Sequence, residues 1–104
     1  MNQIQQGDVL IKRIPNIPSG AIEIKRKNGA VVLMEGEITG HAHRIMDINT
    51  WFFEKEGKFY LKNDKVVTVS HEEHKPIIIE PGIWEIGRVR EKDWLLGMVG
   101  HVID

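Results

Sequence analysis

The chain has 104 residues, 14 Lys+Arg against 15 Asp+Glu, five histidines and no cysteine. A chain this long buries roughly 60–70 % of its extended surface on folding, so it needs no staple merely to fold. Near-zero net charge without a long run of one sign argues against a general nucleic-acid footprint, and the lack of cysteine removes disulfides, thiolate zinc sites and a cysteine nucleophile together.

The opening residues 1–6 are polar and lack the basic-then-apolar pattern of a signal peptide. No apolar run is long enough to span a bilayer. The expectation is a soluble cytoplasmic protein. Gly7-Asp8 reads as a turn, and residues 9–14 as a strand ending at Pro15. Residues 21–26 alternate, with Ile22 and Ile24 on one face. Asn28-Gly29 is a strong two-residue hairpin signal, with residues 30–34 as the returning strand. A hairpin over 21–35 is the expectation. Gly36 and Gly40 mark a loop that brings backbone close to something.

Residues 50–54 and 58–62 flank Glu56-Gly57 and read as a second hairpin of aromatic-rich strands. Residues 65–70 alternate as a strand, 77–79 form a short buried one, and Glu80-Pro81-Gly82 turns into an alternating strand over 83–90 whose buried face the pattern leaves open. The aromatics Trp51, Phe52, Phe53, Phe59, Tyr60 and Trp84 are read mainly as core. The apolar stretch 94–104, which includes His101, fits docking onto the body or onto a second subunit, and a homodimer is one expectation. No sustained helical period occurs before residue 91. Eight or nine short strands with frequent turns predict a single all-β domain over 1–104, a small barrel or sandwich.

Four of the five histidines fall in two clusters. Gly40-His41-Ala42-His43-Arg44 places two imidazoles on one face of an extended segment, because alternate residues of a strand point the same way. His71-Glu72-Glu73-His74-Lys75-Pro76 follows a strand, and its two histidines share a face only if Glu72-Glu73 bend. Histidine is the commonest metal ligand, and three imidazoles with an open position are a frequent zinc or iron arrangement. The expectation is one divalent transition metal (zinc, iron, nickel or manganese) on His41, His43 and one or both of His71 and His74. Glu72 or Glu73 would be a ligand or the catalytic acid/base, and Arg44 the contact to a small anionic substrate. The competing reading makes the histidines solvated strand ends of a non-catalytic interaction module, RNA-associated or part of a phage or bacterial assembly.

Gly-His-x-His, a later histidine and the Pro81-Gly82 turn together resemble the metal-binding signature of cupins. Two departures stand: the next acidic residue after His43 is Asp47, where that signature has glutamate, and His71 precedes the Pro-Gly turn. The chain is also similar, almost throughout, to a group of small, poorly characterised bacterial and phage proteins. The shared motifs are Gln6-Gly7-Asp8-Val9, Gly40 to Arg44, His71 to Ile77, and Pro81-Gly82. That resemblance implies no particular reaction.

Overall fold

The computed structural model describes residues 2–36 and 40–89. The expected docking stretch 94–104, with His101, lies outside the described residues, as do residues 37–39 of the glycine loop. Among the described residues ten strands form: β1 (Gln3–Gln6), β2 (Val9–Arg13), β3 (Ile22–Ile24), β4 (Val31–Glu35), β5 (Ala42–Ile45), β6 (Thr50–Lys55), β7 (Lys58–Asn63), β8 (Val67–Ser70), β9 (Ile77–Ile79) and β10 (Gly82–Arg88). They make two antiparallel sheets, β1-β2-β10-β7-β6-β3 and β4-β5-β8-β9. Among the described residues there is no helix, and so none long and apolar enough to cross a membrane.

The all-β expectation holds, and its sandwich form is the one found, since the sheets are not closed into a barrel. Strand alternation explains the core. Val9 and Ile11 of β2, Phe52 of β6, Leu61 of β7, and Trp84 and Ile86 of β10 point from the six-stranded sheet. Val31, Leu33, Ile45, Val67, Val69, Ile77 and Ile79 meet them from the four-stranded one. β10, whose inward face the pattern had left open, buries Trp84 and Ile86. The Trp84 indole N–H donates to Asn63 Oδ1 at 2.9 Å, and the Asn63 amide donates to the Lys65 and Glu80 carbonyls at 2.9 Å each. A buried indole and a buried amide are thereby both satisfied.

Both two-residue turns form as expected, with positive φ at Asn28 and Gly29 (52° and 79°) and at Glu56 and Gly57 (52° and 80°). These are the values that two-residue hairpin loops require. Their fates differ. β6 and β7 stay paired along their full length, whereas the first hairpin closes only at the Lys27–Ala30 bridge and then splits. β3 joins β6 at the edge of the larger sheet and β4 joins β5 in the smaller one. The expected hairpin over 21–35 is thus corrected to a turn between sheets. Ile22 stays exposed on the edge strand, while Val31 and Leu33 gain the core. The polar opening residues also form a strand, β1, registered Gln6 opposite Val9 across the Gly7-Asp8 turn.

Candidate functional site

β5 runs between β4 and β8 and carries the first histidine cluster. β4 has an extra residue between Val32, opposite Arg44, and Met34, opposite His43. Such bulges bend a strand and re-aim its neighbours. His43 shares its face with the core residue Ile45 and is only 2 % exposed. His41 lies one step outside the strand on the same side and is half-buried. Its carbonyl accepts the Gly36 N–H at 2.8 Å. A side chain on Gly36 would press on that carbonyl at 3.3 Å, so the close approach announced by the glycine loop is to His41.

The second cluster reaches the same place from β8. Arg44 pairs with Ser70 and Ile45 with Val69. Continuing that register one step puts His71 opposite His43, and their ring centroids are 4.4 Å apart. The chain then bends at residues 72–74, the bend that His71 and His74 need to share a face. The His71–His74 centroids are 4.6 Å apart, His43–His74 5.9 Å and His41–His71 5.7 Å. All four imidazoles line one cleft of about 230 Å³, together with Asp8, Glu73 and Gly36. A tetrahedral ion holding nitrogens at about 2.0–2.1 Å spaces them roughly 3.3–3.4 Å apart and their ring centroids about 5 Å apart. The measured centroid spacings straddle that value. Measured between ligand atoms instead of ring centres, the group that converges among the described residues is His41, His71 and Glu72, each offering an atom within 4.8 Å of the others.

The two carboxylates of the His-Glu-Glu-His run have different surroundings. Glu72 Oε1 accepts the Ala42 N–H at 2.9 Å, and Oε2 accepts Arg44 Nη1 at 2.5 Å. The Ala42 bond foremost, then the Arg44 guanidinium, pull the Glu72 carboxyl down to about 2. Arg44 also donates to the Gly40 carbonyl at 2.9 Å, so this residue straps the bent loop to β5. Glu73 faces the cleft, its Oε2 4.0 Å from His41 Nδ1. Asp47, the first acidic residue after His43, accepts the Thr68 N–H at 2.9 Å, a bond that holds the loop after β5 to β8.

Three residues to which the sequence attached no site chemistry, Gln6 and the turn pair Gly7-Asp8, support the cleft. Gln6 is fully buried, and its amide nitrogen lies 3.1 Å from the Val69 carbonyl and 2.8 Å from the Lys75 carbonyl. Carbonyl oxygens only accept, so that end of the amide is the donor and the other end is the oxygen. Gln6 Oε1 sits 2.7 Å from His43 Nδ1. His43 therefore carries its proton on Nδ1 and has its lone pair on Nε2, the arrangement that an outer hydrogen bond imposes on a metal-binding imidazole. Burial, reinforced by His71, lowers the His43 pKa to about 4 and keeps the ring neutral. His71 is arranged differently: its Nδ1 accepts the Glu73 N–H at 3.0 Å, which places the proton of the neutral ring on Nε2. Burial, then the neighbouring His74, lowers its pKa as well.

Gly7 has φ +57°, and a Cβ there would lie 2.5 Å from His74 Nε2. Glycine thus serves both the turn and the room that His74 occupies. Asp8 places Oδ1 3.6 Å from His43 Nε2, while its Oδ2 forms an ion pair with Arg88 Nη1 at 3.0 Å. The only hint in the sequence was the string Gln6-Gly7-Asp8-Val9, read as a turn and as part of a resemblance without a chemistry attached.

Fold and cleft define an all-β sandwich domain with a histidine-lined cleft at the junction of its two sheets. The family profile described as Domain of unknown function (DUF8820) matches residues 5–89, and the chain belongs to that family. No curated protein and no solved structure matches the chain.

Proposed function

We propose that the cleft binds one divalent transition-metal ion, with imidazoles from both clusters as its principal ligands. The observation carrying this reading is the convergence of His41, His43, His71 and His74 on one small cleft, with centroid spacings of 4.4–5.9 Å. Zinc, iron, nickel and manganese all accept imidazole with carboxylate or water. His43 is the anchor, because its Nε2 lone pair is fixed by Gln6 before anything binds. His71 binds through Nε2 only after its proton moves and the Glu73 N–H bond is released, so it is the adaptive member.

A bound ion would supply Lewis acidity to a water or small anion in the cleft. The protein's part in such a reaction divides between the two glutamates. Glu72 stays ionised, so it serves as strap or ligand edge and not as proton donor. Glu73, facing the cleft beside His41, is the group placed to take or give a proton. Arg44 engages Glu72 and Gly40, so an anionic substrate would meet the ion before it met this guanidinium.

The test is elemental analysis of protein purified without a histidine tag, paired with thermal melts in added zinc, nickel, manganese and ferrous iron. Stoichiometric metal or a saturable rise in melting temperature is expected. Absence of both would sink the reading in favour of a non-catalytic interaction module.

A further inference from the structure

Two acceptors face each other across the cleft. His43 Nε2 holds a lone pair, because the Gln6 oxygen fixes the proton on Nδ1. A carboxylate oxygen also only accepts, and Asp8 Oδ1 stands 3.6 Å from that nitrogen. A proton shared between them would draw the atoms to about 2.7–2.9 Å, the distance of a charge-assisted bond. The observed spacing is instead close to the roughly 3.3–3.4 Å that separates two ligands on a tetrahedral ion with bonds of about 2.0–2.1 Å. His43 is otherwise enclosed, 2 % exposed, and its Nε2 edge opens only into the cleft that Asp8 also lines. Two acceptors held this close in one cleft are brought together best by a positive charge between them. Asp8 is itself oriented: Arg88 Nη1 holds Oδ2 at 3.0 Å, and the Asp8 carbonyl accepts the Val89 N–H at 2.8 Å. Oδ1 is thereby left toward His43.

We propose that Asp8 is a metal ligand, paired with His43, and that Gln6 and Arg88 are the positioning residues that aim these two ligands at one point. The inference rests on the metal reading above and adds a ligand from a turn that neither histidine motif contains. It makes the site one of mixed imidazole and carboxylate character, which suits iron, manganese or zinc better than a soft cation.

Asp8→Asn gives opposed effects that a structural role cannot. Its amide N–H can donate to His43 Nε2 while its oxygen still faces the Arg88 guanidinium. The metal-free variant should therefore melt no lower than wild type, while its zinc affinity, measured by calorimetry on the full untagged chain, falls more than about tenfold. Asp8→Ala, which adds no donor, should lose as much affinity and should change the visible spectrum of the cobalt(II)-loaded protein. Zinc binding within twofold of wild type in either variant, or an unchanged cobalt spectrum in Asp8→Ala, overturns the assignment and leaves the metal reading standing. A wild-type chain that takes up no zinc or cobalt overturns both.

Discussion

The two histidine clusters meet in one cleft but are built on opposite principles. His41 and His43 sit on and beside β5, where the ladder to β4 and β8 sets their direction. His71 and His74 sit on a bend strapped by Glu72 to Ala42 and Arg44. A strand presents a ligand in one direction and tolerates little adjustment. A bend tied by hydrogen bonds can shift, and the His71 proton must move before that ring can serve. The cleft thus pairs a rigid half with an adjustable half, an arrangement that lets one rigid ligand define the site while others close on the occupant.

The contrast breaks first at His43. His43→Ala removes the fixed lone pair, empties a packed position and leaves the buried Gln6 oxygen without its donor. A loss of about 2–4 kcal/mol in unfolding free energy is expected by urea denaturation, with metal affinity lost by more than about a hundredfold in a zinc titration.

Acid should act on the same residue. The His43 pKa in the fold, about 4, lies below the ordinary value of 6.5, so between these values the unfolded chain binds the extra proton. This contribution to stability is fully present above about pH 6.5 and is lost as pH falls toward 4, by up to about 3 kcal/mol. Denaturation midpoints measured from pH 7.5 to 4.5 in metal-free buffer should fall accordingly. His43→Gln should flatten that slope.

The adjustable half gives smaller effects. Gly7→Ala forces a positive φ on a side chain that meets His74, and should cost about 1–2 kcal/mol while moving the His74 resonances in a proton–nitrogen spectrum. Arg44→Ala releases the strap at the exposed end of β5. The melting temperature should stay within about 2–4 °C, because exposed ion pairs contribute little. Hydrogen exchange at the amides of residues 71–74 should nevertheless speed up, and a bend as rigid as β5 would show no such change.

Much of this was legible in the sequence, for reasons that also mark its limits. His41 and His43 fall on one face because the strand period is two, and the bend at Glu72-Glu73 comes from requiring His71 and His74 to converge. The Asn28-Gly29 turn was readable too, because left-handed backbone there needs those residue types. The parting of the two strands beyond that turn was not readable. β3 leaves β4 to pair with β6, about thirty residues away, and local propensity says nothing about so distant a partner. β1 went unread because its Gln-rich segment carries a single β-branched residue, Ile4, yet Gln6 became the most informative polar residue in the core. Asp8 sits in a Gly-Asp pair that turn chemistry accounts for by itself, so nothing local distinguished a turn aspartate from a ligand.

The position of β10 has a consequence for how the protein is made. It is the last described strand in the sequence, yet it lies inside the larger sheet between β2 and β7. Until residues 82–88 have left the ribosome, β2 and β7 each present an unpaired edge, and the sheet cannot close. The same strand brings Arg88 to Asp8 and is followed by the Val89 amide that bonds the Asp8 carbonyl. Completion of the sheet and alignment of the cleft are therefore one event, and a nascent or truncated chain lacking β10 would hold all four clustered histidines without Arg88 to orient Asp8.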